Sequence, residues 1–378
     1  MLPPVTGPVA TLTERGRQWP AFDGLRAIAV LAVVVFHAGY PSFIKGGYVG
    51  VDVFFVLSGF LITWLLTTEH DALAGIAYGK FYARRALRLF PALAALIVVS
   101  IILVTTDGGL AAYRHETLVN LPFVIFYVGN WKIAFGNTLT LGLLSITWTL
   151  AIEEQYYLLW PLGLHKLLTR IDRKQIALGL LAVAVLEQVV RFGMGLSNDI
   201  YFNLWADKAT VTHSDGLLLG SALALMWTTR TTWKLWPTIE KRANELGLLG
   251  VALVGLTIIL GKPDLHTTYV WETVAVYGSV LLVASLVARP TGWISTLLAL
   301  PPLQWIGKRS YGMYIWHYPV IAIALTLPLP AKHVHFTRFA IEIVATFVIT
   351  AISYQVIEQP FLRRKVRFAR IAQETSTP

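Results

Sequence analysis

An arginine and a histidine, Arg26 and His37, lie eleven residues apart in one apolar stretch near the start of the chain. This spacing is close to three helical turns, so both side chains point the same way, roughly 16 Å apart along the axis. An ionisable side chain inside a membrane helix is costly and marks a functional site. We interpret His37 as a residue that moves a proton. The alternative is a histidine that only hydrogen-bonds a neighbouring helix.

Two adjacent carboxylates, Glu153 and Glu154, interrupt another apolar stretch. They point about 100° apart on a helix, so at most one of them faces a given partner. A carboxylate beside an imidazole fixes its tautomer and stabilises the imidazolium, as a general base requires. The predicted depth of Glu153 matches that of His37, which favours this pairing. The alternative is an ion pair between helices, with Arg26 or Arg191 as the partner.

A basic group, Arg84, Arg85 and Arg88, follows a helical spacing of three and four residues. Such spacing places guanidiniums on one face of a helix. Several guanidiniums at one site suit a ligand that carries phosphates. The alternative, slightly favoured by residue types alone, is a topology signal in contact with lipid headgroups.

Two further polar residues lie near the starts of apolar stretches. Asp52 follows a glycine-rich run, where it can face a polar acceptor or cap a helix. His317 comes eight residues after Arg309, and a cavity-lining role and a structural role beside Pro319 are equally favoured. The histidines show no metal-ligand spacing, and the sequence has no Walker or dinucleotide-binding motif.

The composition indicates what kind of elements hold these residues. Hydrophobic residues make up 56% of the 378-residue chain and charged residues 14%, against about 25% charged in soluble domains. In water such a chain would expose large apolar patches. We therefore predict an all-α polytopic membrane protein. The absence of cysteine excludes disulfides and thiolate metal sites.

Ten apolar stretches are predicted to form a bundle of transmembrane helices. They cover residues 22–40, 48–66, 90–106, 145–164, 176–191, 212–227, 246–260, 269–287, 311–327 and 336–357. An eleventh stretch, 118–135, contains Pro122 and Gly129 and is predicted to be re-entrant.

The lysines and arginines predict the orientation of this bundle. With ten spans, most of the 31 basic residues fall on the side that holds the N-terminus. The positive-inside rule then places both termini in the cytoplasm. The net charge of +10 is thus a topology signal rather than a nucleic-acid footprint. We predict one integral membrane domain over 1–362 and a short basic cytoplasmic tail over 363–378.

Taken together, these motifs resemble the acyltransferase-3 family of integral membrane O-acyltransferases. The likeness covers nearly the whole chain in the family's order. It rests on the run from Phe22 through Arg26 to His37, the stretch 46–63, the Arg85 and Arg88 pair, the stretch 148–161 with its two glutamates, the stretch 309–320, and Glu358-Gln359-Pro360.

The resemblance implies transfer of an acyl group, most often acetyl from acetyl-CoA, to a hydroxyl of a carbohydrate such as a cell-surface polysaccharide. Macrolide-like small metabolites are the alternative acceptors. A transporter or flippase of an anionic or lipid-linked substrate is the alternative of another class. Many family members carry an extra esterase-like domain, whereas this chain stops at Pro378. It is therefore expected to be a stand-alone member, for which peptidoglycan is a disfavoured acceptor.

The expected location is the bacterial cytoplasmic (inner) membrane. The expected partners are membrane lipid, an acyl-CoA donor on the cytoplasmic side and a carbohydrate or lipid-linked glycan acceptor, with no metal and no nucleic acid.

Residue roles carry over to the matching positions of this sequence. His37 is the expected catalytic residue, which removes the acceptor's proton or transiently takes the acyl group, with Glu153 or Glu154 in support. The residues expected to bind the donor are Arg26, Arg84, Arg85, Arg88, Tyr311 and His317. Asp52 and Trp148 are expected to bind the acceptor.

Overall fold

The computed structural model describes residues 19–264, 267–331 and 333–364. Within these ranges the chain is helical, with no β-strand. The helices are α1 Pro20–Ala38, α2 Gly50–Leu73, α3 Tyr78–Thr106, α4 Ala111–Val119, α5 Leu121–Ile125, α6 Gly129–Ala134, α7 Thr147–Leu168, α8 Arg173–Gly195, α9 Ile200–Lys208, α10 Asp215–Thr228, α11 Trp236–Lys241, α12 Ala243–Leu260, α13 Thr268–Ala288, α14 Trp293–Leu298, α15 Pro301–Lys308, α16 Ser310–Thr326, α17 Val334–Ser353 and α18 Gln359–Arg364. A π-helical turn, Tyr354–Glu358, joins the last two.

Every predicted span corresponds to a helix, which confirms the all-α polytopic fold class. Seven helical segments in the described ranges are long and apolar enough to cross a membrane. They are Pro20–Ala38, Gly47–Leu73, Tyr78–Thr106, Arg173–Gly195, Ala243–Leu260, Thr268–Ala288 and Val334–Arg364. The other three predicted spans are the shorter or more polar helices α7, α10 and α16. The predicted cytoplasmic tail lies outside the described residues from position 365 onward.

The stretch 118–135 is broken into pieces, as its sequence predicts. It contains the end of α4 and the short helices α5 and α6. Pro122 lies in the first turn of α5, where a missing N–H costs nothing, and Gly129 begins α6. None of these pieces reaches the length of a membrane crossing.

Helix α1 runs through the middle of the bundle. Phe22 and Leu25 belong to one buried apolar cluster, and Val30 and Val33 belong to a second. Arg26 lies in the second turn of α1 and His37 in its last turn. The two side chains therefore reach towards opposite ends of the bundle.

Glycines bring α2 and α10 into close contact. A Cβ atom on Gly59 would lie 2.0 Å from the carbonyl oxygen of Leu217, and one on Gly220 would lie 2.1 Å from that of Val56. Small residues allow such backbone approach in membrane helices. This packing places Asp52, near the start of α2, beside the segment that leads into α10.

Candidate active site

Two cavities enter the bundle, one towards each end of α1. The first, here called the Arg cavity, has a volume of about 170 Å³. Its lining is rich in charged and hydroxyl groups, and includes Arg26, Ser58, Arg85, Arg88, Glu153, Tyr157 and Tyr311.

The second cavity, here called the His cavity, is larger, at about 590 Å³. It lies at the end where α1 stops and α2 starts. Its polar lining includes His37, Tyr48, Asp52, Trp148, Asp207, Lys208, His213 and Glu272. His37 and the two residues predicted to bind the acceptor, Asp52 and Trp148, thus share one cavity.

The two cavities meet at a pair of hydroxyl groups. Thr149 and Tyr314 line both cavities, as does Val51. The Tyr314 hydroxyl lies 2.6 Å from Thr149 Oγ1 and donates to the carbonyl oxygen of Ile146 at 3.0 Å. We call this contact the partition. It consists of neutral groups, in contrast to the charged residues on either side.

His37 is held by a backbone carbonyl and by a second histidine. Its Nδ1 lies 2.9 Å from the carbonyl oxygen of Val33 and 3.3 Å from Nε2 of His317. Because a carbonyl only accepts, Nδ1 of His37 carries a proton, and Nε2 of the neutral ring keeps its lone pair. Nδ1 of His317 lies 3.3 Å from the carbonyl oxygen of Met313, which leaves its Nε2 free to accept from His37.

The predicted pairing of a glutamate with His37 is wrong. Glu153 accepts hydrogen bonds from the hydroxyls of Ser58 and Tyr157, and Glu154 pairs with Arg85 at 2.8 Å. Glu153 lines the Arg cavity and not the His cavity, so the predicted match in depth with His37 does not hold either.

The alternative ion pairs for the glutamates do not form either. Arg26 pairs with Asp23 at 3.1 Å, and Arg191 pairs with Asp215 at 2.9 Å.

The basic group divides between two surroundings. Arg85 and Arg88 line the Arg cavity, and the Arg85 guanidinium lies 3.1 Å above the centre of the Tyr157 ring. Arg84 instead lies 3.6 Å from Glu69 of α2 and is absent from the described cavity lining. The structure therefore does not bring Arg84 together with Arg85 and Arg88, because its side chain turns towards a buried carboxylate. Its role in donor binding stays a prediction.

The two α16 residues expected to bind the donor also divide. Tyr311 lines the Arg cavity and donates to the carbonyl oxygen of Leu89 at 3.0 Å. His317 is fully buried against His37 instead. The structure moves it from the predicted donor site to the neighbourhood of the predicted base.

Charged residues of the His cavity escaped the sequence analysis. Lys208 lies 2.5 Å from Asp207 and 3.8 Å from the centre of the Trp148 ring. Burial alone would raise the pKa of Asp207, but the positive groups around it, Lys208 first among them, together outweigh burial and lower it. Glu272 is an ionisable residue inside a predicted span, so the criterion that selected His37 could have found it. His213 precedes α10 but lies in the predicted span 212–227, so the same criterion could have found it.

Comparison with known proteins identifies the family of this chain. The acyltransferase-3 family model, described as an acyltransferase domain, matches residues 19–357. Peptidoglycan O-acetyltransferase OatA of Listeria monocytogenes serovar 1/2a is 34% identical over 90% of this chain and 55% of its own length. O-acetyltransferase OatA of Staphylococcus aureus strain NCTC 8325 is 32% identical over 92% of this chain and 58% of its own length.

A third relative is the putative peptidoglycan O-acetyltransferase YrhL of Bacillus subtilis strain 168. It is 30% identical over 92% of this chain and 55% of its own length. The chain thus spans little more than half the length of these curated relatives. No solved structure matches it significantly.

Proposed function

This chain belongs to the acyltransferase-3 family, and we propose that it transfers an acetyl group from acetyl-CoA to a hydroxyl of a cell-wall or cell-surface polysaccharide. The names of the Listeria and Bacillus relatives include peptidoglycan. Peptidoglycan is therefore the first acceptor to test, although the sequence alone made it a disfavoured acceptor. The proposed location is the cytoplasmic membrane, with both termini in the cytoplasm.

The proposal depends chiefly on the meeting of two unlike cavities at one thin partition. Three guanidiniums line the Arg cavity and an imidazole lines the His cavity, while Thr149 and Tyr314 line both. A donor with phosphates can enter from one end and a hydroxyl acceptor from the other. Only the reacting atoms then need to meet at the partition.

Donor binding uses the residues at the Arg end. The phosphates of the coenzyme contact Arg88 and Arg26, because guanidiniums bind phosphate oxygens through paired hydrogen bonds. Glu154 and the Tyr157 ring hold Arg85 in place. By the positive-inside rule this end faces the cytoplasm, where acetyl-CoA is available.

Chemistry takes place beside His37. Its Nε2 accepts the proton of the acceptor hydroxyl as the hydroxyl oxygen attacks the thioester carbonyl. The carbon–sulfur bond breaks, and the coenzyme leaves as a thiolate that takes up a proton. The Val33 carbonyl and His317 keep the imidazole in the required tautomer. They take the place that the sequence analysis gave to a glutamate.

Membranes that contain the chain and isotope-labelled acetyl-CoA test the proposal, with peptidoglycan fragments as the acceptor. We expect label in ester linkage on the glycan, and loss of that label with His37→Gln. A transporter would move its substrate unmodified, so the same experiment separates the two classes. Unchanged transfer by the His37→Gln variant would contradict the proposed role of His37.

A further inference from the structure

Three ligand-type side chains converge in the wall of the His cavity. Asp52 comes from α2, His213 from the loop before α10 and Glu272 from α13, and each is at most 3% exposed. One nitrogen or oxygen atom of each lies within 4.8 Å of the other two. The mechanism proposed above uses none of these three atoms.

The hydrogen bond at the back of His213 defines its tautomer. Nδ1 lies 2.5 Å from the backbone carbonyl oxygen of Asp207, which only accepts. Nδ1 therefore carries a proton, and in the neutral ring Nε2 presents a lone pair to Asp52 and Glu272. Metal-binding histidines almost always make this second-shell contact to a carbonyl or carboxylate.

The three converging atoms lack donors. Asp52 Oδ1, His213 Nε2 and Glu272 Oε2 receive no hydrogen bond from the described residues. Three buried lone pairs that face one another repel unless a cation or a proton lies between them. Arg191 supplies only part of that charge, because both of its Nη atoms bond Asp215 at 2.9 and 3.1 Å, and its ion pair with Glu272 Oε2 is 3.9 Å long, beyond hydrogen-bond distance.

The distances fit a metal ion better than a shared proton. His213 Nε2 lies 3.4 Å from Asp52 Oδ1. A charge-assisted hydrogen bond between them would be about 2.7–2.9 Å. Two ligands that each lie about 2.1 Å from a tetrahedral ion are separated by roughly 3.4 Å. The Glu272 ligand atom lies within 4.8 Å of the other two, and an inward movement of its carboxylate completes a set of three.

We infer that Asp52, His213 and Glu272 bind a divalent transition-metal cation, with Zn²⁺ as the best match and Mn²⁺ next. One imidazole nitrogen and two carboxylate oxygens are ligands that both ions accept. All three residues line the His cavity, so an open coordination position faces the space for the acceptor. There the ion can bind a hydroxyl or carboxylate oxygen of a substrate. The inference rests on no step of the proposed function.

The test uses the full chain in nanodiscs, purified with an affinity tag that lacks histidine, since polyhistidine binds zinc. After chelation and dialysis, Zn²⁺ and Mn²⁺ uptake is measured by calorimetry and elemental analysis, and Co²⁺ by its visible absorption. We expect one ion per chain and a higher unfolding temperature with Zn²⁺. No donor or acceptor is present, so failure here leaves the proposed function untouched.

Charge-removing variants of similar shape locate the site. Glu272→Gln and Asp52→Asn are expected to weaken Zn²⁺ binding more than about 100-fold, since loss of an outer-shell partner alone costs 10–100-fold. Glu342→Gln is the matched control, because Glu342 is equally buried in α17, away from the cluster. Absence of stoichiometric uptake by the parent chain, or equal binding by all three variants, would overturn the inference.

Discussion

The Arg cavity and the His cavity differ in how their charges are compensated. In the Arg cavity, Glu153 is held by two hydroxyls and Arg85 by a carboxylate and an aromatic ring. In the His cavity, lone pairs converge without donors at Asp52, His213 and Glu272. One end of the bundle is thus organised to receive anions, and the other to receive a cation or a hydroxyl. Under the proposed function, a polyanionic donor and a glycan acceptor are sorted by charge before they meet.

The largest expected effect follows from removing the base of the His cavity. His37→Gln should lower kcat for acetyl transfer by about 10²- to 10⁴-fold, the usual contribution of general-base catalysis. Donor binding, measured by equilibrium titration, should stay the same because the Arg cavity is intact. His335→Gln is the control, since His335 is exposed and absent from the described cavity linings. Equal losses of kcat in both variants would contradict the assignment of His37 as the base.

The next largest effect is on donor binding, and it distinguishes Arg88 from Arg84 in the same helix, α3. Arg88→Gln should raise KM for acetyl-CoA about 10- to 100-fold, because a hydrogen bond to a charged group is worth about 1.5–3 kcal/mol. Its thermal unfolding should not change, as Arg88 is exposed.

Arg84→Gln should show the reverse pattern. This change removes the arginine 3.6 Å from Glu69, and thermal unfolding should occur at a lower temperature while KM stays within twofold. If Arg84→Gln raised KM as much as Arg88→Gln, the assignment of Arg88 but not Arg84 to the donor would be wrong.

A smaller effect tests the histidine behind His37. His317→Leu removes the acceptor 3.3 Å from His37 Nδ1 and should lower kcat about 3- to 10-fold, the value of one neutral hydrogen bond. KM for both substrates should hold, because His317 lines neither cavity in the described chain. His317→Gln keeps an acceptor oxygen and should restore part of the rate. No difference between the two variants would argue against a positioning role.

The smallest effect is expected at the partition. Tyr314→Phe keeps the ring but removes the hydroxyl 2.6 Å from Thr149. Acetyl transfer should stay within about threefold, whereas thioester hydrolysis without acceptor should rise, because water gains access to the donor. Release of free coenzyme thiol measures this. A variant with unchanged hydrolysis would show that the hydroxyl pair does not control water.

The helices were well predicted from the sequence, because the length of an apolar stretch and the helix-breaking residues within it are local signals. Every predicted span matched a helix, and Pro122 and Gly129 marked the interruption before α5 and α6. Depth along a helix was also predictable, as the placement of Arg26 and His37 in different cavities shows.

The direction in which each side chain faces a neighbouring helix was not predictable. Glu153 bonds Ser58 in the Arg cavity instead of facing His37, and Arg84 turns to Glu69. Asp52, His213 and Glu272 are far apart in the chain, so they form no local sequence motif from which their cluster could have been predicted. Helix packing, with its glycine contacts at Gly59 and Gly220, creates that cluster.

The partition has a consequence for the membrane as an electrical insulator. A continuous water-filled path through the bundle would dissipate an ion gradient. Here Thr149 and Tyr314 line both cavities, and the 2.6 Å contact between their hydroxyl oxygens leaves no room for a hydrated ion to pass between these two side chains. An acetyl group is small and uncharged, whereas the coenzyme carries several negative charges. Under the proposed function, the protein passes acetyl between two aqueous phases and conducts no current between them.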